Sequence, residues 1–527
     1  MSTKIETMEL DGGKDQTTLR TWIGVLGMML GGFMAVVDIQ ITNSSLRDIT
    51  GGIGATLDEG SWISTSYLIG EIVTIPLTAW LSRVFSVRRY LLASVGFFLL
   101  FSCLCGIARS LGEMICFRVG QGFTGGVMIP MALTVVLSTL PKNRQPLGLA
   151  LFGMTATLGP VIGPTIGGWL TDNFGWHWVF YINLFPGALM IGAIIYAIDR
   201  KPTQLELLRN GDWIGITSMA IGLGSLVAML EEGQRKDWFG SPLIQTCAWL
   251  AAIFIPVFLW VELTQKRPFV NLRLVARRNL GVSCCINFLL GLGLFGTVYL
   301  VPQYLTIVQG YSAFQTGEAM IWVGLPQLLI FPFVPLLMKR FDLRMLVCFG
   351  TIVFATSSWM NTAMSHDYAG QQLAFANVIR ALGQPLTIIP LASIATATLT
   401  PWEAPDGSAV FNIARNLGGS VGTAVLDTLI TRREQFHDFR IGESVNEFRI
   451  EVQDRVNFLT QQFQTAGYDP VDATNKAYAL LKEIVRREAY VMAFNDAFLT
   501  VSIALLSAAV LVWLCRKTIA KEGSAAH

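Results

Sequence analysis

The chain has 527 residues, 52% of them hydrophobic and only 14% charged, against about 25% charged in soluble proteins. A formal net charge of +2 supplies no field of the kind that draws nucleic acid. Four scattered histidines argue against a metal site, and all eight cysteines fall inside apolar stretches as expected buried free thiols, so neither a metal, a cofactor nor a disulfide framework is expected.

The first twenty residues are polar and mixed in charge, and the apolar block after them is long enough to stay in a membrane rather than to serve as a cleaved signal. From there the apolar residues fall in blocks of about 18 to 25, the length that crosses a hydrocarbon core at 1.5 Å per residue. They predict helices near 21–45, 62–82, 90–108, 112–136, 146–170 and 177–198, which form one group of six. Two more follow near 212–230 and 243–264, and then 280–302, 315–337, 345–364, 371–398, 405–430 and 493–515. Backbone polar groups in lipid must be satisfied within a segment or in a closed barrel. A barrel would show alternating strands of about ten residues, and the sequence has none. The expectation is an all-α polytopic membrane protein with 14 transmembrane helices.

Lys and Arg set the orientation. With the N-terminus inside, the inner segments hold 22, among them Arg83, Arg88, Arg89, Lys266, Arg267, Lys339, Arg340 and Lys521, and the short outer loops hold four: Arg47, Arg109, Arg235 and Lys236. This asymmetry obeys the positive-inside rule and places both termini in the cytoplasm. The outer loop 431–492 differs from the rest: it is polar, carries nine Lys/Arg, and has helical periodicity around Val445–Thr465 and Val471–Arg487. It reads as a solvated amphipathic hairpin or as a docking surface for a partner. The organisation is then a cytoplasmic segment 1–20, a six-helix bundle 21–200, inserted helices within 210–265, a second bundle 279–515 containing the extracytoplasmic loop 431–492, and a cytoplasmic tail 516–527.

The halves repeat. A basic short connection at Ala79 to Arg89 is matched by Lys339 to Arg344, and Arg118-Val-Gly-Gln121-Gly122 by Arg380-Ala-Leu-Gly-Gln384. Further motifs are Val37-Asp38-Ile-Gln40-Ile-Thr-Asn43, Trp62 to Leu68, and Gly159-Pro160-Val-Ile-Gly163-Pro164-Thr-Ile-Gly167-Gly168. Trp176 to Asn183 and Gly407 to Gly422, with Arg415 inside, complete the set. On these motifs the sequence resembles the major facilitator superfamily, in its fourteen-helix drug:proton antiporter branch (EmrB/QacA type), over about residues 21 to 515. The resemblance implies two six-helix bundles plus two inserted helices, and proton-coupled efflux of amphipathic drugs by alternating access. It also implies, where a second membrane exists, a periplasmic adaptor protein and an outer-membrane channel as partners, with the chain in the plasma or bacterial inner membrane. The sequence departs from the pattern at Arg83 and Ser86, which stand where an Asp and a Gly are usual, at Gln40 in place of Thr, and at Leu184-Phe185-Pro186, whose proline is shifted by one. The second half keeps Asp342 and Arg344 as a gating pair.

A mid-bilayer acid or base costs about 2.5–3.5 kcal/mol on insertion scales, so its retention points to function. Asp38 lies some 17 residues into the first apolar block and Glu71 near the middle of the second helix. Asp38 reads as a proton carrier or cation site, or else as a structural hydrogen-bond partner. Glu71 reads as a second proton carrier or as the neutralising partner of Arg118. Arg118 then tunes a neighbouring acid or locks helices together. Arg380 and Arg415 read as structural or gating cations, with direct substrate contact as the other reading. Asp427, near an outer helix end, can reach the interface by snorkelling. The helix-five glycines permit close helix approach, and Pro160 and Pro164 weaken its hydrogen-bond ladder, which suits either a pliable interface helix or static packing. No phosphate-binding Gly-x4-Gly-Lys-Ser/Thr loop occurs, so ATP hydrolysis is not expected. An intramembrane enzyme would need a cluster such as His-Glu-x-x-His, which is missing. A narrow-substrate exporter of a metabolite or siderophore is the competing transport reading, and a sensor without transport the third class.

Overall fold

The computed structural model describes residues 18–517 apart from 210, 266–267, 401 and 447. The segment before residue 18, Lys266 and Arg267, and the tail beyond 517 with Lys521 lie outside the described residues. The first bundle is α1 (Leu19–Ser44), α2 (Asp58–Phe85), α3 (Val87–Gly106), α4 (Leu111–Thr139), α5 (Gln145–Phe174) and α6 (Trp178–Ala197). The insertion is α7 (Trp213–Glu232) and α8 (Pro242–Thr264). The second bundle is α9 (Arg278–Gln309), α10 (Phe314–Arg340), α11 (Leu343–Ala363), α12 (Gly370–Thr396), α13 (Ala404–Ser444) and, after the amphipathic α14 (Ile450–Thr465), α15 (Pro470–Leu511).

Thirteen of these helices are long and apolar enough to cross a bilayer. The remaining long one, α13, carries Asp406, Asn412, Arg415 and Asn416 in its first turns. It runs inside the bundle against α2, α9, α12 and α15, so protein rather than lipid covers its polar side chains, as polar residues at membrane depth require.

The repeat read from the sequence is visible in the packing. In the first half α1 lies on α5 and α6, α2 on α4, and α3 on α4 and α6; in the second, α9 lies on α13 and α15, α10 on α12, and α11 on α12 and α15. The halves meet along two matching seams, α2 against α13 and α10 against α5, with α4 against α13 and α5 against α12 beside them. The inserted α7 leans on α2, where Glu232, fully buried, accepts from Ser61 Oγ (2.9 Å) and Thr65 Oγ1 (2.6 Å). Its neighbour α8 keeps Trp249, Ile253 and Trp260 exposed, the apolar surface of a peripheral span.

Polar contacts identify one end of the bundle as the end of both described termini. Arg20 meets Asp199 (2.5 Å), Arg88 donates to the Ile198 carbonyl (2.9 Å), and Arg278 donates to the Leu514 carbonyl (2.7 Å). Arg277 pairs with Glu403 at 2.5 Å and holds that carboxyl down at about 2. Among the described residues Arg20, Arg88, Arg277 and Arg278 of the basic connections therefore gather at this terminal end.

At the opposite end the expected loop 431–492 is mostly continuous helix. α13 runs to Ser444 and α15 starts at Pro470, so both helices project past the apolar zone, and α14 packs on α15. Arg433 and His437 both reach Asp496 (2.6 and 2.9 Å), and Arg486 reaches Glu434 (3.1 Å), tying the two projecting helices together. The periodicity near 445–465 is α14, while that near 471–487 is the first part of α15.

Candidate functional site

Asp38, 1% exposed on α1, is the centre of a polar cluster within the first half. Its Oδ2 accepts from Arg118 Nη1 at 2.7 Å, and its Oδ1 accepts from Gln121 Nε2 at 2.9 Å and Asn183 Nδ2 at 2.6 Å. Arg118 also donates through Nε to the Ile63 carbonyl (3.2 Å) and through Nη1 to Gln121 Oε1 (2.8 Å), and lies 4.4 Å from the Tyr67 ring centroid. Ser102 accepts from both Gln121 and Asn183 and donates to the Phe180 carbonyl. The sequence reading picked Asp38, Arg118 and Gln121 and missed Ser102 and Asn183. Asn183 closes the Trp176 to Asn183 motif, so its place in the motif was the available signal.

Glu71 stands apart from this cluster. The alternative in which it neutralises Arg118 does not hold, because Asp38 occupies that guanidinium. Glu71 is 5% exposed on α2 and points across the seam between halves, where Oε1 accepts from Asn416 Nδ2 of α13 at 3.2 Å and the carboxylate lies in the field of Arg415. Asp38 thus spends its acceptor capacity on three donors inside one half, whereas Glu71 makes a single bond to the other half.

The two cations of the second half differ as well. Arg415 is electrostatically opposed by Glu71. Among the described residues no carboxylate pairs with Arg380, 4% exposed on α12; its Cζ lies 5.8 Å from the Phe354 ring, and its Nε and Nη1 are buried without a hydrogen-bond partner. Neighbouring Gln384 bonds Gln327 of α10.

Gly159, Gly163 and Gly167 recur every four residues on the α5 face that packs on α1. A Cβ there would come within 2.6 Å of Val36, 2.5 Å of Gln40 and 2.2 Å of Ser44. The opposite face, with Val161 and Thr165, meets Gly324 and Gly317 of α10 across the seam. The helix-five motif therefore binds α5 to its own half and leaves a second face for the partner half. Helix α5 continues unbroken through Pro160 and Pro164, and Gly168 is buried within it. Gly122 is the closest approach of α4 to α2, where a Cβ would lie 2.1 Å from the Tyr67 carbonyl oxygen. Asn43, exposed at the far end, accepts from Ser64 Oγ at 2.5 Å and joins α1 to α2.

The connection that departs from the family pattern forms a tie between the halves. Arg83, where an Asp is usual, pairs with Asp406 at the start of α13 (2.6 Å) and lies 5.6 Å from the Trp402 ring. Asp342 and Arg344, by contrast, pair with each other (2.9 Å), and Arg344 donates to the Cys515 carbonyl, so they bind elements of one half only. Reading Arg83 as mere loss of a motif missed this tie; the acid Asp406 near the start of a polar helix was the complementary signal. Gly418, Ser420 and Gly422 have the spacing of a serine elbow, but they lie mid-helix in α13 with the glycines against α9, not on the strand-to-helix turn that such chemistry needs.

A family model described as Major Facilitator Superfamily matches residues 28–423. The colistin resistance protein EmrB of Acinetobacter baumannii is 33% identical over 494 residues, 93% of this chain and 95% of that protein. The multidrug export protein EmrB of Escherichia coli K12 is 32% identical over 461 residues, covering 86% of this chain and 90% of that protein. The fatty acid resistance protein FarB of Neisseria gonorrhoeae is 30% identical over 497 residues, 94% and 96% of the two chains. Among solved structures, the proton:xylose symporter XylE shares the fold at a TM-score of 0.59, with 13% identity over 95% of this chain and 97% of that one.

Proposed function

The chain belongs to the Major Facilitator Superfamily, and from that premise we propose that it expels amphipathic drugs and other toxic compounds by proton antiport with alternating access. The substrate class follows its relatives, whose names record multidrug export, colistin resistance and fatty acid resistance. The terminal end, rich in Lys and Arg, is cytoplasmic by the positive-inside rule, and the membrane is the plasma membrane, or the inner one where there are two.

The observation that carries the coupling is Glu71, a buried acid of one half bonded to Asn416 of the other. Ionised, it attracts Arg415 and holds the seam together. Protonated, it loses that attraction, and the halves are free to rock. A proton entering down its gradient yields about 2.3 kcal/mol per 100 mV, which the release of Glu71 converts into a change of access. Asp38, Arg118 and Gln121 are the fixed electrostatic anchor of the first half. The two faces of α5, with Gly159, Pro160, Gly163, Pro164, Gly167 and Gly168, form the bearing on which it moves.

Proteoliposomes with an imposed pH gradient test this assignment. Glu71→Gln should exchange substrate down its own gradient yet fail to concentrate it when protons flow, and Asp38→Asn should lose both. A Glu71→Gln protein that still concentrates substrate sinks the coupling role.

The projecting α13, α14 and α15 support a periplasmic adaptor, feeding an outer-membrane channel, as the partner. Replacing residues 445–469 by a short flexible linker should leave vesicle transport intact and abolish resistance in cells. Equal loss of both assigns the hairpin to folding instead.

A further inference from the structure

We propose that Arg380 is the anchor for the acidic head group of carboxylate-bearing amphipaths, which bind in the second half with the head group on this guanidinium. The proposal rests on the efflux reading and deepens it by naming a substrate class and a subsite.

Matched positions of the two halves are asymmetric. Arg118 and Arg380 are the repeated cations of the two halves, yet Arg118 has a carboxylate at 2.7 Å, a side-chain amide and a carbonyl. Among the described residues Arg380 has the Phe354 ring and no ion pair. A guanidinium always carries its charge, so burying it without an anion is costly. A ring face offsets only a small part of that cost.

The surroundings are those of a head-group site. Asn377, Arg380 and Gln384 follow at spacings of three and four and share one face of α12. Asn377 donates to the Ala319 carbonyl and Gln384 bonds Gln327, so this face looks towards α10. Beside the two unpartnered guanidinium nitrogens, Gln384 Nε2 is also buried with no acceptor. Three buried donors without a partner, one positive charge among them, outnumber the one unpartnered acceptor beside them, Gln327 Oε1, and fit an anion with two acceptor oxygens. A carboxylate meets that description, and guanidinium–carboxylate pairs take two parallel bonds. An acyl chain then extends along α10, where Val323 is buried at a spacing of four from both Ala319 and Gln327.

The experiment compares decanoate with decanol, which share a chain and differ in charge, on purified full-length protein in detergent at pH 7.5. The wild type should bind decanoate more tightly than decanol by about tenfold or more, the worth of a charge-assisted bond. Arg380→Gln should bring the two affinities together, and Arg380→Lys should keep part of the preference. Equal affinities in the wild type overturn the proposal, and that result does not depend on any variant folding. An unchanged ratio in Arg380→Gln also overturns it. Failure of the efflux reading is seen separately, as absence of solute movement in vesicles even while the decanoate preference stands.

Discussion

Buried charge at Asp38 and Arg118 is tolerable only because each satisfies the other. Both side chains are fully buried, and the carboxylate is surrounded by donors from two helices besides its own. Removing one member of such a pair costs about 3–5 kcal/mol, because the other charge stays buried alone, whereas replacing both by apolar groups of similar volume can be nearly neutral. Asp38→Ala should therefore lower the thermal unfolding midpoint of the purified protein sharply, and Asp38→Leu combined with Arg118→Met should recover most of the loss. If the single and double variants unfold alike, the pair is not what holds α1, α4 and α6 together. That Asp38 and Arg118 mattered was legible from their rarity at membrane depth. Which acid met Arg118 was not, because three-residue and four-residue spacings fix faces within a helix and say nothing of the rotation of one helix against another. Glu71, the acid read as a possible partner of Arg118, instead faces Asn416.

Helix pairs in this protein are set by backbone contact at small residues rather than by apolar side chains, as expected where lipid competes equally for those side chains. The clearest instance is α9 against α13. A Cβ on Gly418 would lie 2.0 Å from the Phe288 carbonyl oxygen, and one on Gly291 would lie 2.1 Å from the Arg415 carbonyl oxygen. Backbone cannot move aside as a flexible side chain can, so Gly418→Ala should push the helices apart and reduce folded yield. Gly442, in the projecting end of the same helix, has open space around it, and Gly442→Ala should be neutral or slightly stabilising, by about 0.5–1 kcal/mol, since alanine favours helix. Comparing the unfolding midpoints of the two variants checks the claim; equal effects would show that helix propensity, not interhelical distance, decides. The lengths and order of the spans were readable from apolar blocks, because hydrocarbon thickness fixes them. The ends of α13 and α15 were not. There the composition turns polar while the helix continues in water, held by Arg433, His437 and Arg486 on their acids, and a polar stretch has the same composition whether coiled or helical.

Alternating access requires that the halves be held at one end and freed when the other end closes, so ties that cross the seam matter more than stronger ones within a half. Arg83 with Asp406 is such a tie: its acid is nearly buried, its cation half-buried, and the exposed Trp402 ring lies 5.6 Å from the guanidinium carbon. The cation stands on the connection, where the family pattern has an Asp, and the acid at the start of α13. A carboxylate there also lies in the favourable field of a helix N-terminus, and Arg83 is held besides by its Nε, which donates to the Ala79 carbonyl (3.2 Å). Arg83→Glu should replace attraction by repulsion and open the terminal end. Spin labels on Arg89→Cys and Arg340→Cys, in a background lacking the exposed Cys116 and Cys285, would report a longer distance across the seam. The exchanged pair, Arg83→Asp with Asp406→Arg, should restore the short distance in part only, since the cation then meets the positive end of the helix. An unchanged distance in Arg83→Glu would mean that the packed seams, not the ion pair, set the resting pose, and gating would have to be sought along α5 and α10.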